Sequence, residues 1–301
     1  MDSEYFRSYD MCWGTLGTVR PFPNFHPDRD AAEIQMALEK KDAVNLVRIL
    51  TNRSNAQRQV IAKTFLTLTE KDLASAVKKA LSGELETLLL ALLITPQQHD
   101  AQRLRLAMEV LSYLLILSLC SVFSVYKKEL LKDLKGETSG DFAKLIVALL
   151  NKEKISGVVQ RDIETLSASL NGKKADAEPW INILTSRDSD HLNKVLMGLE
   201  LETGQMVEQA LQKRFSGDFG LGLKVLVQCI QNPYLYLAQR LQTMKTPIVQ
   251  GIMVSHCEED LLCVRAAYLK HTGTSLYTAL QQKQFKGEHL QALLAICRSE
   301  D

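Results

Sequence analysis

The chain has 301 residues, 46% of them hydrophobic, and its 36 basic and 35 acidic side chains give a net charge of +1. This length and apolar content allow a large buried core, and the near-zero charge gives no reason to expect nucleic acid as a partner. Gly and Pro are sparse and β-branched runs are few, which favours a mostly helical protein. Residues 1–10 contain no apolar segment, so we expect no signal peptide and a cytoplasmic location.

Five helices are predicted within the first 95 residues. They are, in chain order, Asp30–Glu39, Asp42–Leu50, a helix beginning after Ser54, one beginning after Thr69 and Asp72, and one beginning at Gly83. Ser54 with Gln57 three residues later has the spacing of a capping box, in which each residue's side chain accepts from the other's backbone N–H. Thr69 and Asp72 have the same spacing.

The start of the fifth helix belongs to a block that occurs four times. The block opens with a glycine followed by an acid, at Gly83-Glu84, Gly140-Asp141, Gly217-Asp218 and Gly287-Glu288. Apolar residues follow in every copy on one helical stripe, and the acid falls in the first turn, where the helix dipole favours negative charge. The blocks recur at intervals of roughly 60 to 80 residues, which indicates an array of helical repeats.

Between the first two blocks lies an uncharged apolar run, Val110–Val125. As a helix it would rise about 24 Å, which is short of the roughly 30 Å of a bilayer's hydrocarbon core. Serines also dilute it. We therefore predict a buried helix and no transmembrane span.

No catalytic motif is present. The sequence has no G-x-S-x-G, Walker A or H-E-x-x-H pattern, and its six histidines are scattered. The six cysteines show no CxxC and no metal-ligand spacing, which favours reduced thiols. We expect a protein that is not an enzyme.

Four segments of the chain resemble the annexins. They are Ile49–Phe65, Trp180–Leu196, Val227–Lys245 and Ile252–Lys270. Because these segments occur in the family's order, the chain is identified as a divergent annexin, closest in texture to the type-two and type-nine members. The resemblance extends from about Trp13 to Asp301.

The resemblance implies an all-α fold of four repeats, each of about five helices, packed into a curved disc. The implied boundaries are a tail (1–12), repeat 1 (13–95), a shortened repeat 2 (96–150), a linker (151–160), repeat 3 (161–232) and repeat 4 (233–301). The tail is a candidate contact for a protein partner, although it lacks an apolar helical stripe. The resemblance also implies a disulfide between Cys229 and Cys297. A cytosolic location instead favours two reduced thiols at these positions.

In annexins the convex face of the disc meets acidic phospholipid through calcium. The resemblance implies a G-x-G-T loop between the first two helices of a repeat, whose carbonyls bind the ion together with a carboxylate before the fifth helix. Such a loop needs glycine for its backbone, and calcium needs six to eight oxygen ligands. Here the loops read LEKKDAV in repeat 1 and NGKKADAE in repeat 3, and repeat 4 has only Met244-Lys245 before Thr246.

The expected carboxylates are mostly absent as well. The acid should lie three residues before the recurring glycine, where this chain has Ala80, Glu137, Arg214 and Gln284. Only Glu137 is acidic, in the repeat whose partner loop is missing. By analogy with related annexins, a weaker calcium site is formed by the carbonyls of Lys78 and Leu81 with the Glu86 carboxylate.

Basic side chains occupy the loops that lost the calcium ligands. The candidate lipid-contacting cations are Lys40, Lys41, Lys79, Lys135, Lys173, Lys174, Arg214, Lys245, Lys283 and Lys286. We expect a peripheral membrane protein that binds acidic phospholipid with weak or lost calcium dependence. The alternatives are an ordinary solvated lysine surface and a protein-interaction scaffold that keeps the fold without binding lipid.

Overall fold

A computed structural model describes residues 16–96, 98–99, 138–151, 155–172 and 175–298. Within these ranges every regular element is a helix, and no strand occurs. The described residues form two compact units. One consists of those in 1–99 and 237–301, and the other of those in 100–236.

We number the described helices α1 to α16. The first predicted repeat contains α1 (Pro27–Lys40), α2 (Ala43–Leu50), α3 (Asn55–Thr69), α4 (Leu73–Ala80) and α5 (Gly83–Leu93), and α6 (Gly140–Asn151) ends the second. The third contains α7 (Val159–Asn171), α8 (Glu178–Ser186), α9 (Ser189–Thr203), α10 (Val207–Arg214) and α11 (Gly217–Gln231). The fourth contains α12 (Pro233–Gln242), α13 (Thr246–His256), α14 (Leu261–Thr272), α15 (Leu276–Gln282) and α16 (Gly287–Cys297).

The predicted starts of α2, α3 and α5 are confirmed, whereas α1 begins at Pro27, three residues before the predicted Asp30, and one predicted cap is wrong. Both halves of the capping box of α3 are formed, since Ser54 accepts from the backbone of Gln57 and the Gln57 side chain accepts from that of Ser54. The prediction that Thr69 caps α4 is wrong. Thr69 ends α3, where its hydroxyl donates to the Phe65 carbonyl, and Asp72 is the residue that caps α4 by accepting from the Ser75 N–H. A threonine in the last turn of a helix has a carbonyl within reach, which local spacing does not reveal.

The recurring glycine has a left-handed backbone in all four blocks. The φ angles are +71° at Gly83, +62° at Gly140, +62° at Gly217 and +57° at Gly287. A Cβ at any of these positions would meet open space, so conformation rather than crowding requires glycine there. The apolar stripe that follows is buried at all three of its positions in α5, α11 and α16.

The first unit combines helices of the first and last predicted repeats. α16 packs on α2, α5 and α13, and α1 packs on α2 and α3. At the centre is Arg58 of α3, only 2% exposed. Its guanidinium donates to the carbonyls of Leu92 (2.7 Å), Leu50 (3.2 Å) and Arg53, and forms an ion pair with Glu258 at 2.9 Å.

In the second unit the helices of the third predicted repeat surround Trp180, which is fully buried and donates its indole N–H to the Ser169 hydroxyl at 3.2 Å. α7 packs on α9, α10 packs on α11, and α6 packs on α8 and α11. The Val110–Val125 run lies outside the described residues, as does the predicted shortening of repeat 2. Among the helices that the structure does describe, none is long and apolar enough to span a bilayer.

Replacing Arg58 by methionine tests the polar centre of the first unit. Arg58→Met would remove the ion pair with Glu258 and a donor to several buried carbonyls, so we expect a loss of about 3–5 kcal/mol in the free energy of unfolding. Urea unfolding followed by circular dichroism measures this loss. Arg29→Met, at a side chain that is 76% exposed and pairs with Glu33 of its own helix, should change stability little. Equal effects of the two substitutions would contradict the role of Arg58.

Candidate ion- and lipid-binding loops

In three predicted repeats the structure brings together the two loops that the annexin resemblance pairs. We call them the first loop, between the first and second helices, and the second loop, before the fifth helix. In repeat 1 Lys41 of the first loop lines a cleft of about 460 Å³ together with Lys79 and Ala80, the last residues of α4 before the second loop. In repeats 3 and 4 the two loops are joined by hydrogen bonds, from Arg214 to the Gly172 carbonyl and from Gln284 to the Met244 carbonyl.

The first loops of repeats 1 and 4 are tight turns made without glycine. A single residue is left-handed in each, Lys41 at φ +53° and Met244 at φ +50°, and the next residue, Asp42 or Lys245, is the N-cap of the following helix. In repeat 1 the N–H groups of Lys41 and Asp42 donate back to α1, to the carbonyls of Leu38 and Ala37. Turns this short leave fewer outward-facing carbonyls for an ion than the four-residue G-x-G-T loop implied by the resemblance.

The second loops offer little acid to a cation. Ala80 ends α4, Arg214 ends α10, and Gln284 lies between α15 and α16, so none of the three described positions has a carboxylate. Glu137 lies outside the described residues. In the ranges that the structure describes, no three His, Cys, Asp or Glu side chains are grouped closely enough to hold a metal ion. The described second-loop positions of repeats 3 and 4 therefore supply no carboxylate to a calcium ion.

The weaker candidate calcium site lies at the end of α4. Lys78 is in the last turn of that helix, where carbonyls lack helical partners, and Leu81 follows as its C-cap. Glu86 is half-buried in the first turn of α5. These three residues supply one carboxylate and two carbonyls, about half of the oxygens that calcium requires.

Most of the candidate lipid-contacting cations that can be described are exposed. These are Lys40, Lys41, Lys79, Lys245, Lys283 and Lys286, and Lys78 is exposed beside them. Arg214 differs, because its side chain is half-buried and bonded to the first loop of its repeat. Lys135, Lys173 and Lys174 lie outside the described residues.

A polar cluster shows how the loops of the first unit are arranged. The Gln250 side-chain amide, in α13, donates to the Glu84 carbonyl at 2.8 Å and lies 3.0 Å from Nε2 of His289. Glu84 is in the first turn of α5, His289 is near the start of α16 and Gln250 lies one turn into α13, so the first two turns of three helices meet here. The loops that precede these helices, with their lysines, therefore open at one end of the unit. Sequence reasoning missed this cluster, because His289 and Gln250 follow no motif.

Comparisons with known proteins agree with this architecture. The annexin family model matches residues 29–92 and 161–226. Annexin A9 of Homo sapiens is 36% identical over 324 aligned residues, covering 98% of this chain and 93% of that protein, and annexin A9 of Mus musculus is 35% identical, covering 96% and 92%. The solved structure of annexin III has a TM-score of 0.86 at 31% identity, covering 95% of this chain and 98% of that one.

This chain therefore belongs to the annexin family. The similarity confirms the all-α fold of four five-helix repeats that the sequence predicted. Annexins in general bind acidic phospholipid membranes in a calcium-dependent manner and are not enzymes.

His289 gives the first unit a pH dependence that can be measured. Burial lowers the pKa of His289, and the nearby Glu84 only partly opposes this shift. The unfolded chain takes up the proton near pH 6.5 while the folded chain resists it, so stability should fall as the pH drops below about 6.5. In His289→Gln this part of the loss should disappear. Thermal unfolding at about pH 7 and about pH 5.5 measures it.

His271→Gln is the matched control, because His271 is exposed on α14. That variant should keep the pH dependence of the unchanged protein. An unaltered pH dependence in His289→Gln would show that the titration arises elsewhere.

Proposed function

We propose that this protein is a peripheral membrane protein that binds acidic phospholipid through the lysines of its paired loops, with weak or lost calcium dependence. One observation carries the proposal. Where the family's calcium site needs a carboxylate, the described loops have Ala80, Arg214 and Gln284, and exposed lysines surround them. A loop with this composition attracts lipid phosphate directly and does not need a bridging ion.

The lysines at one end of the first unit support direct binding. Lysines of repeats 1 and 4 precede the helices that meet there, at Lys78, Lys79, Lys245, Lys283 and Lys286, and Lys41, which follows Lys40, lines one cleft with Lys79. Each lysine near an anionic leaflet contributes about 1 kcal/mol, and this contribution falls off within a Debye length of about 8 Å. Acidic side chains of the same region offset most of this attraction; they are Glu39, Asp42, Asp72, Glu84, Glu86 and Glu288. The proposal therefore depends on contact between individual lysines and lipid phosphate, and not on a large net charge of this end.

We assign any residual calcium response to repeat 1. Its cleft is open, and the Lys78 and Leu81 carbonyls with Glu86 are the oxygens available beside it. The incomplete ligand set predicts weak binding, because calcium takes six to eight oxygens. The tail of residues 1–12 stays a candidate contact for a protein partner.

A second candidate function is a protein-interaction scaffold that keeps the annexin fold without binding lipid. The observation that favours it is exposed apolar surface on two helices. Leu66 and Leu68 on α3 are 52% and 53% exposed, and Met197 and Leu201 on α9 are 61% and 84% exposed. Such side chains would become buried against a partner protein.

Vesicle co-sedimentation separates the two functions. On vesicles containing phosphatidylserine we expect binding that persists in chelator and weakens steeply as salt is raised, because the attraction is electrostatic and screened. Neutral phosphatidylcholine vesicles are the control. Binding that requires calcium and resists salt would reject the lysine mechanism, and no binding under any condition would favour the scaffold.

The paired lysines at the end of α4 should contribute measurably to binding. Lys78→Gln with Lys79→Gln removes two charges, or about 2 kcal/mol, which corresponds to a roughly 30-fold weaker affinity for anionic vesicles. The control pair, Lys63→Gln with Lys194→Gln, removes two exposed charges from α3 and α9, outside the paired loops. Equal losses in both double variants would indicate that total charge, rather than the loops, determines binding.

A further inference from the structure

The two loops of repeat 4 are held together by a side-chain donor. Gln284 stands three residues before Gly287, at the position where the family pattern has its carboxylate. Its Nε2 donates to the Met244 carbonyl of the first loop at 3.3 Å. In the family's site an ion would lie between a carbonyl and a carboxylate, which are both acceptors. In this chain the carboxylate is replaced by the Gln284 amide, which is a donor and bonds directly to the Met244 carbonyl.

Repeat 3 shows the same exchange with a different residue. Arg214 takes the carboxylate's position three residues before Gly217, and its Nη2 donates to the carbonyl of Gly172. Gly172 is the residue of this chain that matches the first glycine of the G-x-G-T loop. A guanidinium brings a positive charge and several donors to that carbonyl, which a neutral amide does not.

Repeat 1 provides an internal comparison. The corresponding residue is Ala80, whose side chain has no donor, and there the first loop and the end of α4 line an open cleft of about 460 Å³. The first-loop turn is nevertheless alike in repeats 1 and 4, with Lys41 and Met244 both left-handed before an N-cap. A direct bond between the loops thus accompanies a donor at the carboxylate position in repeats 3 and 4.

We propose that the Arg214 guanidinium and the Gln284 side-chain amide replace the calcium ion of repeats 3 and 4, each joining the two loops of its repeat by donating to a first-loop carbonyl. The physical role is the same, because a cation and a polar N–H both present positive charge to a carbonyl oxygen. The loops are then joined in the absence of the ion, and the site is closed to it. This inference does not depend on lipid binding.

Restoring the acid in repeat 4 tests the exchange. Gln284→Glu keeps the shape of the side chain and removes its donor, so the carboxylate would face the Met244 carbonyl as a second acceptor. We expect a melting temperature lower by roughly 2–4 °C in chelator, and a rise on adding millimolar calcium chloride that exceeds any rise of the unchanged protein. Thermal unfolding without lipid measures both.

Gln281→Glu is the matched control, since it adds the same charge at an exposed position of the neighbouring α15. It should melt like the unchanged protein in both conditions. An equal loss in Gln281→Glu would overturn the inference for repeat 4, because charge alone would explain it. It would also be overturned if Gln284→Glu were fully stable in chelator, or if calcium failed to recover its loss.

Repeat 3 is tested separately by Arg214→Glu against Lys213→Glu, which makes the same change in charge one residue earlier at an exposed site. Arg214→Glu should lower the melting temperature in chelator more than Lys213→Glu and gain more from calcium. Equal melting behaviour of the two variants would overturn the exchange in repeat 3. Loss of lipid binding in either variant has no bearing on this result, so failure of the proposed function stays distinguishable.

Discussion

The left-handed glycine at the start of each fifth helix is the constraint on which the rest of the structure depends. The chain turns at Gly83, Gly140, Gly217 and Gly287 with φ between +57° and +71°, and a buried apolar stripe follows the turns at Gly83, Gly217 and Gly287. Because L-residues with a Cβ avoid this conformation, the turn fixes both where the helix begins and where the preceding loop lies. The stripe anchors the helix in the core, and the loop is left at its end.

The separation of the helical core from the loops explains how the loop residues can differ from the family pattern while the core is retained. The helices depend on buried contacts such as those of Arg58 and Trp180, which involve no loop ligand. The tight turns at Lys41 and Met244 close the first loops with hydrogen bonds to the preceding helices. Since neither the core nor these turns needs an ion, the loss of calcium ligands leaves the fold intact. The TM-score of 0.86 to annexin III is consistent with this independence.

The sequence predicted the fold well because its signals are local and repeated. The capping box at Ser54 and the glycine-acid blocks depend on residues three to ten positions apart, and both are confirmed. The prediction that Thr69 caps α4 was wrong, because its position in the sequence suits either the cap of α4 or the last turn of α3. The hydrogen bond from Thr69 to the Phe65 carbonyl shows that it ends α3. In the site, the loss of carboxylates could be read from Ala80, Arg214 and Gln284. The bonds from Arg214 and Gln284 to loop carbonyls could not, because they join residues 42 and 40 positions apart.

The substitutions in the loops have two physical effects that reinforce each other. Replacing a carboxylate by a donor removes a negative charge that an anionic membrane would repel. The loop surface then needs no divalent ion to neutralise its charge. The same donor satisfies a carbonyl that the ion would otherwise have bound, so the ion also loses part of its structural role. Gln284 changes the charge by one and Arg214 by two, while Ala80 removes the acid and leaves a cleft lined by Lys41 and Lys79. The described repeats thus depart from the family's ligand pattern in chemically different ways, and in each the substitution removes a negative charge, which is the direction that favours direct contact with lipid phosphate.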